Sequence, residues 1–257
     1  TLDVTTQATA QLADQKIARC EQHTLFPVAD GTTVLDVQYE GHKATASVSV
    51  KDATADRPVS FHLDVMPVFM RTGCNVGSCH GAASGKDGFR LSLYGFDPKG
   101  DHYRLTQEES VRRINLAVPE ESLLIEKSLG LVPHTGGKLF DRDSQYAETL
   151  IRWLEDSAPL DTGVPPHVEK LEIFPPNAVI EGAGTKLPFI VRATYSDGTD
   201  RDVTDLTMFI TSNDSSAPID KSGLVTAAAR GEAFIMGRFE THTIGSQVLV
   251  LPEGLEY

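Results

Sequence analysis

Cys74-Asn75-Val76-Gly77-Ser78-Cys79-His80-Gly81 is the stretch on which the reading of this chain turns. Two thiols followed at once by an imidazole are the arrangement that joins a haem to a polypeptide. The sulfurs form thioethers to the vinyl groups, and the histidine addresses the iron. The standard spacing is C-x-x-C-H; here four residues separate the cysteines. The chain holds only three cysteines in 257 residues, so a Cys-Cys-His cluster is not expected by chance. Cys74 and Cys79 are therefore the expected attachment points of one haem c per chain, with His80 the proximal iron ligand. A zinc site on the same thiolates is disfavoured, because Cys79 and His80 are adjacent and no second ligand pair stands at finger spacing.

The other axial ligand must come from elsewhere. No Met lies between Cys79 and Met208, and Met66 and Met70, which precede the motif, read as core residues. His134 lies in Val132-Pro133-His134-Thr135-Gly136-Gly137, where proline fixes the approach and the glycines admit close backbone contact with a flat ligand. His134 is the expected distal ligand. His102 follows Gly100-Asp101 and reads as a solvated surface group, as do His23, His42, His62, His167 and His242. Arg112 and Arg113 are candidate contacts to haem propionates, which guanidinium binds in bidentate fashion.

Around the motif, residues 58–162 are read as a helical domain. Phe61, Val65, Val68 and Phe69 fall on one helical face before the cysteines, and Gly73 is placed as a helix C-cap. Tyr146, Leu150, Trp153 and Leu154 form a second stripe, with Asp143 or Ser144 as N-cap. A helix entering the haem motif and another crossing it at the end is the all-α class I cytochrome c plan.

The flanks read differently. Asp3-Val4-Thr5 opens a segment ending near Val50, and Asp202-Val203-Thr204 opens another ending near Val250. With one gap, Leu25 aligns with Leu224, Gly31 with Gly231, Val50 with Val250, and Cys20 with Ile219 at a core position. Both copies alternate apolar and polar residues in short runs, as antiparallel β-sandwich strands do. The second copy carries an extra leading half, from Leu171 through Tyr195, which the first lacks. The expected organisation is an incomplete β-sandwich over 1–57, a monohaem cytochrome domain over 58–162, and a β-sandwich over 163–257.

Composition bounds the partners. A net charge of −13 argues against nucleic acid and anionic membrane. No apolar run is long enough to span a bilayer, and no signal peptide is visible, so the chain reads as a processed or trimmed piece.

The opening Asp-Val-Thr and the run Gly223-Leu224-Val225-Thr226-Ala227 resemble bacterial immunoglobulin-like group 2 domains. The run Phe61 to Gly81, together with Gly88-Phe89, Arg112-Arg113, Pro133-His134-x-Gly136-Gly137 and Trp153, resembles planctomycete-type cytochrome c domains. Many of those carry C-x-x-C-H and a Met-Pro-Pro loop; here the cysteine loop is wider and His134 stands where that Met would be. The resemblance implies an exported protein, periplasmic or at the cell surface, and the departure from the family's Met points to bis-histidine, low-spin haem.

The expected function is electron transfer by an exported monohaem c-type cytochrome, not enzymatic catalysis, with an unknown redox partner protein. Two alternatives stand beside it. One is a haem-based sensor or peroxidase-like protein. The other is a non-redox adhesion or carbohydrate-binding surface module whose sandwiches do the work.

Overall fold

The computed structural model describes residues 1–21, 24–109 and 112–254; His23 lies outside them. The chain forms two compact units, 1–57 and 58–257.

In the first unit, β1 (Thr9–Leu12), β4 (Gly31–Tyr39) and β5 (His42–Val50) form a sheet in the order β1-β4-β5, while β2 (Ala18–Glu21) and β3 (Thr24–Pro27) form a hairpin. Period-2 patterning puts Leu35, Tyr39, Val48 and Val50 on one face. These side chains are half-buried. Cys20, expected in a core, is half-buried on β2 opposite Leu25.

The second unit begins with a helical segment: a π-helical turn at Phe61–Val65, then α1 (Met66–Arg71), α2 (Pro98–Thr106), α3 (Leu123–Ser128) and α4 (Gln145–Glu155). Ser60 caps the first turn, its side chain accepting from the Leu63 amide, and Ser144 caps α4 by accepting from Ala147. Pro67 sits in the first turn of α1, where its missing N–H costs nothing. Gly73 adopts a left-handed φ of 80° just past α1.

The strands β6 (Val168–Phe174), β7 (Asn177–Glu181), β8 (Lys186–Pro188), β9 (Ile190–Tyr195), β10 (Asp200–Asp202), β11 (Met208–Thr211), β12 (Leu224–Thr226), β13 (Gly231–Phe239) and β14 (His242–Leu251) follow. They assemble as sheets β10-β9-β6 and β11-β13-β14-β7, with β8 paired to β12. The repeat appears as identical register. Gly231 faces Val250 and Phe239 faces His242, as Gly31 faces Val50 and Tyr39 faces His42. In the second copy β14 gains a parallel neighbour, β7, and the face of β13 and β14 is closed, with Ile235, Phe239, Val248 and Val250 all buried.

The expectation of a central all-α, class I-like cytochrome c domain between β-sandwiches is corrected here. The chain is predominantly β, with fourteen strands against four α-helices among the described residues. The helices are only six to eleven residues long and do not stand alone. Helices of that length are marginal without tertiary packing, and here the packing is shared. Phe61, Phe69 and Trp153 belong to one hydrophobic core with Ile173, Val191, Ile235 and Val250.

Polar contacts fasten the same join. Arg201 donates to Asp64 Oδ1 at 2.9 Å and to the Leu63 carbonyl at 3.1 Å. Arg71 donates to the carbonyls of Asp205 and Lys221, and the Tyr146 hydroxyl to that of Asp205. The helical segment is thus a graft on the sheets. No helix is long and apolar enough to cross a membrane among the described residues.

Candidate functional site

The cysteine motif forms a tight loop after α1. Cys74 N–H donates to Phe69 O at 2.8 Å, so the loop hangs directly from the helix. His80 N–H returns to Cys74 O at 3.0 Å, and Gly81 N–H to Val76 O at 3.1 Å. Gly81 is required sterically: a Cβ there would stand 2.1 Å from the Asn75 carbonyl oxygen. Asn75 itself is fully buried, and neither its Oδ1 nor its Nδ2 has a hydrogen-bond partner.

His80 is oriented from behind. Its Nδ1 lies 3.0 Å from the carbonyl oxygen of Phe89, whose ring packs 4.7 Å from the imidazole. A carbonyl can only accept, so Nδ1 carries the hydrogen and Nε2 keeps its lone pair. Burial lowers the His80 pKa; the Phe89 hydrogen bond opposes this, and the charges of His134 and Lys127 add to the lowering. Burial pushes the Cys74 thiol up to about 11, partly offset by Thr72 and reinforced by Cys79. The Thr72 hydroxyl lies 3.3 Å from Cys74 Sγ.

The sequence-predicted residues converge on two adjoining cavities. One, of about 90 Å³, is walled by Cys74, His80, His134, Arg112, Arg113 and apolar side chains including Phe69 and Leu105. The other, of about 240 Å³, shares Cys74 and His134 and adds Cys79. His134 is held loosely, its Nδ1 3.3 Å from the Gly137 carbonyl oxygen. The arginines differ. Arg113 is buried and committed: it donates to the carbonyls of Arg104, Glu108 and Gly88 and stacks on Phe89 at 4.5 Å. Arg112 is exposed at the mouth and pairs with Glu109 at 3.3 Å.

The donor set suits a flat, anionic group held by sulfur and imidazole: two thiols, one imidazole with a free lone pair, a second imidazole, and cations at the rim. The smaller cavity falls well below the roughly 300 Å³ at which ligand pockets begin, so such a group also requires the space beside Cys79.

No family model and no curated protein matches the chain. Solved structures that resemble it include surface layer protein SbsC, domains 1–6, at 11% identity over 98% of this chain and 21% of that one, with a TM-score of 0.32. SbsC domains 4 and 5 match at 11% identity over 96% and 72%, with a TM-score of 0.30. A putative surface protein matches at 15% identity over 37% and 98%, with a TM-score of 0.15. This chain spans about a fifth of the first of these. Superpositions at this level assign neither fold nor function.

The expected membership in planctomycete-type cytochrome c and immunoglobulin-like families is therefore corrected. The chain is predominantly β, its short helices share one core with the sheets and form no all-α domain, and among the described residues no three His, Cys, Asp or Glu side chains gather as a metal-binding group. With it falls the description of the chain as a c-type cytochrome electron carrier.

Sequence reasoning also missed residues. His102 is half-buried rather than a free surface group: it packs edge-on against Phe61 at 5.1 Å, and its Nε2 lies 2.8 Å from the Ala158 carbonyl oxygen. Thr72, Lys86 and Lys127 at the cavities carry no local motif and were not distinguishable from surface polar residues.

Proposed function

We propose that this chain is a module of an exported surface protein. Its β units serve as structural spacers, and its helical graft presents a ligand cavity beside Cys74, Cys79, His80 and His134. The observation that carries this reading is the join: the graft shares its core with the sheets, so the cavity is displayed by a β framework and not by a free carrier domain. The repeated β unit and the net charge of −13 fit a modular, exported acidic protein. Co-sedimentation with isolated cell envelopes tests it. The protein is expected to pellet with the envelope and to be released by protease added to intact cells; recovery only from the cytosolic fraction would overturn it.

A second reading concerns the ligand. It is favoured by the convergence of both thiols and both imidazoles on the adjoining cavities. In it the group would be one haem c, held by Cys74, Cys79, His80 and His134, with the exposed Arg112 at the mouth and the buried Arg113 in the wall. Such a group supplies iron redox or ligand-binding chemistry. The chain's part is to fix the His80 tautomer through the Phe89 carbonyl and to shield the site with Phe69 and Leu105. Pyridine haemochrome spectra and haem staining of denaturing gels test it. Covalent haem is expected after production in a host competent for its attachment, with His134→Ala shifting the iron toward high spin. A colourless, iron-free product from that host removes this reading and leaves the first intact.

A further inference from the structure

A separate cavity of about 230 Å³ lies where the start of the helical segment meets the tip of the β13–β14 hairpin. Its walls come from distant parts of the sequence. Met66 and Met70 contribute from α1, Tyr94 from the turn at Leu93–Gly95, and Glu240 from the hairpin. His62, His167 and His242 complete the lining.

Glu240 is the unusual member. It occupies the hairpin turn with a left-handed φ of 49°, and its Oε1 is buried with no hydrogen-bond partner. Burial raises its pKa to about 7, and no neighbouring charge contributes. Among the described residues no charge offsets the burial of this carboxyl, although one guanidinium and the three imidazoles stand near it. Arg238, two residues back, has its guanidinium 3.7 Å from the Tyr94 ring centroid. His62 has its pKa lowered, chiefly by burial, with Asp161 raising it and His167 lowering it further. Glu240 is half-buried as a residue, and its unpartnered oxygen is relieved by the proton it keeps up to about 7 or, once ionised, by a positive partner from outside the chain. A metal ion is a poor fit, because no three His, Cys, Asp or Glu side chains among the described residues gather as a ligating cluster. Beside the three imidazoles, the walls include the thioethers of Met66 and Met70 and the rings of Tyr94 and Phe96, surfaces that attract organic cations. An apolar cavity of about 150 Å³ holds benzene, so this one has room for an ammonium group carrying a ring.

We propose that this cavity binds a small organic ammonium ion, its charge against Glu240 and its apolar part against Met66, Met70 and Tyr94. The site is independent of the cysteine–histidine cavities and of whatever those hold.

Methyl-labelled methionine gives a local readout, because Met66 and Met70 line the cavity and Met208 and Met236 do not. The probe is benzylammonium, with benzyl alcohol as its uncharged counterpart. At pH 8 benzylammonium is expected to shift the Met66 and Met70 methyl resonances saturably. Benzyl alcohol is expected to bind at least about tenfold more weakly, as is benzylammonium to Glu240→Gln. Absence of a saturable shift in the unsubstituted protein overturns the proposal, and so does equal binding of the alcohol. The second outcome is independent of how well the variant folds.

Discussion

Arg201 reaches across 137 positions of sequence to donate a 2.9 Å hydrogen bond to the Oδ1 of Asp64. The other oxygen of Asp64 accepts from the Ser60 amide at 2.9 Å, so one carboxylate both holds the start of the helical segment and joins it to β10. Its side chain is 7% exposed and that of Arg201 35%. The pair is therefore only partly screened, and removing one partner weakens the join without isolating the other: Arg201 keeps the Leu63 carbonyl and Asp64 keeps the Ser60 amide.

The first prediction concerns this join. Asp64→Ala should destabilise unit 58–257 by about 2 kcal/mol, less than the 3–5 kcal/mol of a fully buried pair because Arg201 keeps some solvent. Helix and strand signals should still unfold together in urea. Two separated transitions in the unsubstituted protein would show that the graft and the sheets fold independently.

Trp153 is the chain's single tryptophan and is fully buried. Its ring lies 5.3 Å from that of Phe61, and its Nε1–H donates to the Pro159 carbonyl at 3.0 Å. Its emission should be blue-shifted when folded. Trp153→Ala should cost about 3–5 kcal/mol. Phe61→Leu, which keeps the probe, should cost less and be measurable by the same fluorescence.

Glu240 sets a pH dependence whose sign follows from its raised pKa. The folded carboxyl holds its proton up to about 7, against 4.5 for the unconstrained side chain. Stability is therefore fully present below the lower value and is lost as pH rises between the two, by about 3 kcal/mol in all. The lowered values of His62 and His80 act in the opposite sense. The clean measurement is thus the difference between the unsubstituted protein and Glu240→Gln, followed by denaturation from pH 5 to pH 8. A flat difference would contradict the buried position of the carboxyl.

The Cys74 thiol should be sluggish. At about 11 its pKa leaves little thiolate at pH 8, roughly a hundredfold less than in an ordinary cysteine. Protein produced without an attached group should therefore alkylate slowly at Cys74, as peptide mapping would show. Thr72→Val removes a hydroxyl that lowers this pKa and should slow the reaction further. Rapid alkylation at Cys74 would contradict the burial.

Local periodicity was the legible part of this molecule. The alternation around Gly31–Val50 and Gly231–Val250 follows directly from strand geometry, and the stripe of Tyr146, Leu150, Trp153 and Leu154 from the helical repeat. Cys74, Cys79, His80 and His134 stand out in the sequence by their chemistry, and each lines one or both of the adjoining cavities. What could not be read were contacts with no sequence period. Asp64–Arg201, Arg71 to the Asp205 carbonyl, and the core shared by Phe61 and Ile235 turn an expected helical domain into an appendage of the sheets. The same holds for His102, whose burial depends on Phe61 and Ala158 arriving from either side, and for Glu240, whose surroundings come from the helical segment and β6.

Among the described residues of unit 1–57, β5 is an outer strand of the three-stranded sheet, whereas its counterpart β14 has β7 alongside. Backbone amides and carbonyls along such a border invite another polypeptide to dock in extended form. Lateral self-association of the isolated unit at high concentration is the expected consequence, and sedimentation at rising concentration measures it.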